Sequence, residues 1–102
     1  MMGQKLPLRY RILHFLSDSK SHSVDEIMEA LKEEYGGEGQ FNKNLVGTHL
    51  QSLKAVGMLE HSEVFFDEAG ELVLKFKITE YGFSRLEYLP SGWKPLSKSV
   101  SS

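Results

Sequence analysis

Asn44, Gly47, Thr48, Gln51 and Lys54 recur at three- and four-residue spacing, which places them along one side of an α-helix. They are short, hydrogen-bonding or cationic, the set that suits approach to base edges and phosphates in a DNA major groove. Asn44, Thr48 and Gln51 carry the donors and acceptors that could read bases, while Lys43 and Lys54 carry charge that could hold phosphate. The same stretch holds a second pattern. Leu45, Val46, His49, Leu50, Leu53 and Val56 fall on the other side of the helix and are expected to face a core. Gly57 then fits a left-handed C-terminal cap, and Met58-Leu59 begins an extended segment.

Charge is distributed so as to favour that face. The chain has 12 lysines and arginines against 14 aspartates and glutamates, so its surface as a whole is no polyanion binder. The signs are segregated, however. Lys5, Arg9, Arg11 and Lys20 make the first segment basic; Asp25, Glu26, Glu29, Glu33, Glu34 and Glu38 make the next strongly acidic. From Gln40 to Gly57 there is no carboxylate at all. Acid returns at Glu60, Glu63, Asp67, Glu68 and Glu71, followed by Lys75, Lys77 and Arg85. Arg9, Arg11, Lys75 and Lys77 are therefore further candidates for holding a phosphate backbone. The two arginines have a competing option, pairing with the acidic segment.

Several elements are needed to position these residues. Pro7 suits a first helical turn, and Leu8, Ile12, Phe15 and Leu16 form the apolar stripe of a helix ending near Asp18. Ser23-Val24-Asp25-Glu26 has capping-box spacing, which predicts a second helix to about Tyr35 with Ile27, Met28, Ala30, Leu31 and Tyr35 inward. Gly36-Gly37-Glu38-Gly39 breaks it, and either Asn42 or Asn44 caps the third helix. After Gly57 the pattern becomes that of strands. Val64-Phe65-Phe66 and Leu72 to Ile78 flank Asp67-Glu68-Ala69-Gly70, a hairpin turn, with Leu72, Leu74, Phe76 and Ile78 on the core face and Val73, Lys75 and Lys77 in water. Thr79 caps a last helix, which Phe83, Leu86 and Leu89 dock on the core before Pro90 ends it.

At 102 residues the chain has the size of one domain, assigned here to residues 1–89, with residues 90–102 a flexible serine-rich tail unless Trp93 docks. No cysteine is present, which excludes disulfides and thiolate metal sites. No apolar run would span a bilayer and no secretory signal opens the chain, so a cytoplasmic protein is expected. His14, His22, His49 and His61 lack close metal-ligand spacing, the glycine-rich loop lacks the lysine and hydroxyl of a phosphate-binding loop, and Glu33 and Glu34 have no paired base. No cofactor, metal or catalytic residue is expected, and the protein is read as a non-enzyme.

Helix, helix, helix, hairpin, helix is an α+β order that, with these residues, resembles the winged helix-turn-helix regulators, and PadR-like and MarR-like members above all. Tyr10-Arg11-Ile12-Leu13 resembles their opening helix, Gly47-Thr48-His49-Leu50 and Leu53 to Leu59 their recognition helix, and Lys77-Ile78-Thr79-Glu80-Tyr81-Gly82 the passage after the wing. The resemblance implies a transcriptional regulator that binds double-stranded DNA as a homodimer, with the third helix in the major groove. Two departures stand out. The wing turn reads Asp67-Glu68-Ala69-Gly70-Glu71 where basic residues are usual, and no long dimerising helix follows Leu89. The acidic second helix and wing thus leave an alternative open, a winged-helix module for protein-protein interaction.

Overall fold

A computed structural model describes residues 6–37, 39, 41–90 and 92–98; Lys5, Glu38, Gln40 and the tail residues 99–102 lie outside the described residues. Helix α1 (Leu8–Phe15) starts after Pro7, whose carbonyl accepts the N–H groups of Tyr10 and Arg11, so Pro7 is the cap and not a member of the first turn. A 3-10 turn, Leu16–Asp18, carries α1 on to Ser19, which takes a left-handed conformation at φ 65°. Helix α2 (Val24–Tyr35) opens on the expected capping box. The Glu26 N–H donates to Ser23 Oγ at 3.2 Å and the Ser23 N–H donates to Glu26 Oε1 at 2.8 Å.

Helix α3 (Lys43–Ala55) is bounded at both ends by chemistry visible in the sequence. Asn42 Oδ1 accepts the Leu45 N–H at 2.8 Å, so Asn42 is the cap and Asn44 keeps its amide for other partners. At the other end Gly57 adopts φ 84°, which a residue without Cβ takes at no steric cost. Its N–H reaches the Lys54 carbonyl at 3.0 Å and the Met58 N–H reaches the Leu53 carbonyl at 2.9 Å, the paired bonds of a left-handed helix stop.

Strands β2 (Leu59–Phe66) and β3 (Leu72–Ile78) form the hairpin. Its turn is held by Asp67, whose Oδ1 accepts the N–H groups of Ala69 and Glu71, each at 2.9 Å, while Gly70 supplies φ 80°. A strand absent from the sequence reading, β1 (His22–Ser23), pairs with the far side of β3, so the antiparallel sheet runs β1-β3-β2. Two residues in a polar connection offer no periodicity to detect, and their partners Phe76 and Lys75 are distant in sequence. Thr79 then caps helix α4 (Glu80–Ser84), which continues as a 3-10 turn, Arg85–Tyr88.

One core joins all of these. Ile12 and Leu13 of α1, Leu16 of the 3-10 turn after it, Ile27 and Leu31 of α2, and Val46, Leu50 and Leu53 of α3 meet Leu59, Phe76, Ile78 and Leu86. Phe83, Leu89 and Met28 pack against it half-buried, as do Leu8, Phe15 and Leu74. Some expected positions are corrected. Ala30 is exposed because α2 buries only the narrow Ile27, Leu31, Tyr35 stripe, and Val56 is exposed because it lies at the C-cap, past the last helical residue of α3. Leu45 and His49 are half-buried at the edge of the core-facing side. Leu72 is exposed, at an open cleft beside Val24, Asp25 and Lys43, and Val73 is half-buried where water was expected.

Residues 92–98 are in contact with the domain. The Trp93 ring meets His14 edge-on at 5.0 Å between centroids, and His14 Nε2 lies 2.7 Å from the Lys94 carbonyl. Further on, the Leu96 N–H donates to Ser17 Oγ at 2.9 Å and Ser97 Oγ donates to the Ser17 carbonyl at 2.7 Å. A flexible tail was expected from composition; over residues 92–98 the structure has instead a segment laid along α1 and the turn after it.

Candidate nucleic-acid interface

Burial of Val46, Leu50 and Leu53 fixes the rotation of α3 and so decides what its other side offers. Lys43, Asn44, Gly47, Thr48 and Gln51 line one open depression of about 680 Å³, joined by Val24, Ser52 and Ala55. Lys54 is exposed on the same helix outside that lining. The sequence reading missed Ser52 and Ala55, although their spacing from Asn44, Thr48 and Gln51 is helical; Val24 comes from α2 and could not be inferred from α3. Thr48 Oγ1 donates to the Asn44 carbonyl at 2.9 Å, which leaves its oxygen free to accept and its methyl outward. Gly47 has nothing within 4 Å of where a Cβ would stand, so no packing demands a glycine there. Its effect is to bare the helix backbone in the middle of the face, at a cost to the helix of roughly 1 kcal/mol relative to alanine.

The cations around this face differ in how they are held. Lys43 Nζ stands 3.3 Å from Asp25 Oδ1 and Lys75 Nζ stands 3.8 Å from Glu26 Oε1, so the first turn of α2 gathers one lysine from α3 and one from β3. Lys43 is 67% exposed, and exposed pairs of this kind contribute about 0–1 kcal/mol, so a phosphate could displace either. Lys54 and Lys77 form no ion pair among the described residues. The Ser23 N–H stabilises the Glu26 carboxylate and lowers its pKa, which keeps this acid charged beside Lys75.

The two arginines of α1 part company. Arg11 makes a two-point contact with Glu34, Nη2 to Oε1 at 2.8 Å and Nε to Oε2 at 3.0 Å, and its guanidinium lies 5.2 Å from the centre of the Trp93 ring. Only 15% of its side chain is exposed. Arg11 thus has the competing option that the sequence left open, pairing with the acidic second helix, and it ties α1, α2 and the C-terminal segment together. Arg9 is half-buried, its Nε finds no partner among the described residues, and its charge adds to burial in lowering the pKa of His49 on α3. Among the described residues no group of three or more His, Asp or Glu is arranged to hold a metal ion, and no helix is long and apolar enough to cross a membrane.

The hairpin is locked to the end of α3 by the passage that follows it. Thr79 Oγ1 donates to the Gly57 carbonyl at 2.6 Å and accepts the Gly82 N–H at 3.0 Å, while its own N–H reaches the Met58 carbonyl at 3.0 Å. A Cβ on Gly82 would stand 2.2 Å from that same Met58 oxygen, so the backbone approach requires glycine. Thr79 and Gly82, both in the motif that the sequence singled out, thus join the base of the wing to the helix stop.

No protein-family model matches this chain, and no curated protein matches it in sequence. Among solved structures, Bacillus subtilis PadR in complex with operator DNA is similar over 93% of this chain, with a TM-score of 0.66 and 19% identity. This chain spans about half, 54%, of that protein's length. The three-helix core with its hairpin and following helix is the α+β winged helix-turn-helix fold, with β2-β3 as the wing.

Proposed function

We propose that this protein is a sequence-specific DNA-binding transcriptional regulator that seats α3 in the major groove. The observation that carries this reading is the α3 face itself: Lys43, Asn44, Gly47, Thr48 and Gln51 on one open surface, in a stretch without a carboxylate. Asn44, Thr48 and Gln51 read base edges, with Asn44 released for that role because Asn42 takes the cap. Lys43, Lys54, Lys75 and Lys77 contact phosphate, and Arg9 approaches it from α1. The likeness to a protein solved with operator DNA supports the reading.

One such helix reads only a few base pairs, so the regulator acts as a homodimer on paired half-sites. A surface suited to this lies away from α3, where Tyr10 and Tyr88 stand exposed beside a groove of about 360 Å³ floored by Leu6, Leu13, Met58 and Leu89. Anisotropy titrations of native genomic fragments over a salt series test the function. Binding that favours some fragments and falls linearly in log affinity with log salt is expected. Folded protein that binds no fragment even at low salt would overturn it. Sedimentation of Tyr88→Asp tests the dimer: a monomer is expected where wild type is dimeric.

A further inference from the structure

The wing carries an apolar stripe that no element covers. In β2 and β3 the register pairs Leu59 with Ile78 and His61 with Phe76, then slips by one residue at Ser62, then pairs Val64 with Leu74 and Phe66 with Leu72. Because side chains alternate along a strand, an unbroken β2 would have put Val64 and Phe66 on the face opposite Leu59. The bulge reverses that parity and returns them to the face that Leu59, Phe76 and Ile78 bury. Out on the wing the stripe is open to solvent: Phe66 is 72% exposed, Val64 58% and Leu72 56%, with Leu72 beside the first turn of α2.

Strand β2 also forms an outer edge of the sheet, its far side unpaired among the described residues. A long edge strand with exposed apolar residues invites another strand. Its charges decide which one. Glu60 and Glu63 lie on the opposite face, across from Lys77 and Lys75 of β3, and Asp67, Glu68 and Glu71 surround the turn, with no ion pair formed by any of these five among the described residues, so the outer strand and the turn carry acids alone. Two copies pairing edge to edge would bring these acids together, which is unfavourable.

We propose that β2 is a strand-addition site for a partner protein, taking an extended segment in which apolar residues alternate with lysine or arginine. Main-chain hydrogen bonds to the free edge supply affinity. The segment's apolar side chains extend the Val64, Phe66 and Leu72 stripe, and its cations meet Glu60 and Glu63 on the other face and the acidic turn at the end. This goes beyond DNA binding, since α3 remains free to engage DNA while the wing is occupied.

The test uses the full chain and a fluorescein-labelled synthetic peptide, one strand long, alternating lysine with valine and leucine; a control peptide has glutamate in place of lysine. Wild type is expected to bind the lysine peptide in a salt-dependent way and to ignore the control. Val64→Thr/Phe66→Thr/Leu72→Thr, exposed substitutions that keep β propensity, should weaken peptide binding about tenfold or more. Glu60→Gln/Glu63→Gln should weaken it several-fold and flatten its salt dependence. DNA affinity of the threonine variant should match wild type and that of the glutamine variant should not fall, so failure here is separable from failure of the regulator reading. Equal peptide binding by wild type and the threonine variant, or equal binding of the control peptide, would overturn the proposal. A wild-type dimer that the threonine variant dissolves would assign the stripe to a second copy, and loss of DNA binding in that variant would assign it to DNA; either overturns it too.

Discussion

The α3 face and the wing project from the same core and are built on opposite terms. On α3 the apolar residues point inward and leave an outer face of amides, hydroxyl, glycine and lysine without a single acid. The wing exposes its apolar residues and surrounds them with carboxylates. A polyanion is favoured by the first surface and repelled by the second, while an apolar, cationic protein segment has the reverse preference. Two neighbouring surfaces of this molecule therefore offer different chemistry.

The sharpest break in that comparison would come from α3. Gln51→Ala is expected to cost roughly 1–3 kcal/mol on a preferred DNA site and much less on random sequence, because an amide contact to a base edge discriminates between bases. Paired titrations on the two DNAs measure it, and equal losses would deny Gln51 a reading role. Next in size, Lys54→Ala should weaken binding to all sequences alike and reduce the slope of log affinity against log salt by about one, as each lost phosphate contact releases fewer counterions. Lys43→Ala should act in the same direction but less strongly, because in the free protein its charge already faces Asp25 at 3.3 Å.

Gly47→Ala separates reading from folding. A methyl there meets open space, so the helix should gain about 0.5–1 kcal/mol in thermal or denaturant unfolding. DNA affinity should fall several-fold at the same time, since the methyl stands where a groove wall would approach the bare backbone. Stability and affinity both rising would show that α3 does not lie that close to DNA.

The smallest effect concerns the C-terminal segment that packs beside Arg11 and His14. His14 is buried, which lowers its pKa, and the Arg11 Nη1 at 3.4 Å from Nδ1 adds to that; the Lys94 carbonyl and the more distant Glu34 oppose it. A histidine held below its ordinary value of 6.5 favours the neutral ring in the folded state. Its contribution is complete above that value and is lost as the pH falls through it towards the folded value. Trp93 is the only tryptophan, so its fluorescence should report loosening of the C-terminal segment on acidification, and His14→Phe should remove the dependence. An identical pH profile in that variant would deny His14 the role.

Much of the architecture was legible in the sequence because its signals are local. Ser23 with Glu26, Asn42, Gly57, Gly70 and Thr79 each act on backbone groups within a few residues, and each is found at the boundary its chemistry demands. The split of α3 into two faces is likewise set by helical spacing alone. The candidate site was legible to the same depth: the polar face could be named, but not which of its cations are held. Arg11 and Glu34 show why. Nothing in either local sequence chooses between a phosphate and a carboxylate, and the choice falls to the packing that brings α2 and Trp93 against α1.

By itself, then, the sequence determined the elements, their caps and the chemistry of the α3 face, because each rests on hydrogen bonds and periodicity over a few residues. Only the tertiary structure decided the rest. It paired β1 with β3, laid Trp93 and Lys94 on His14, and gathered Lys43 and Lys75 at the start of α2. It also placed the one-residue slip at Ser62 that turns Val64 and Phe66 to the same face as the core. Strand register and side-chain partners between distant segments depend on which surfaces the core brings together, and that information is spread over the whole chain.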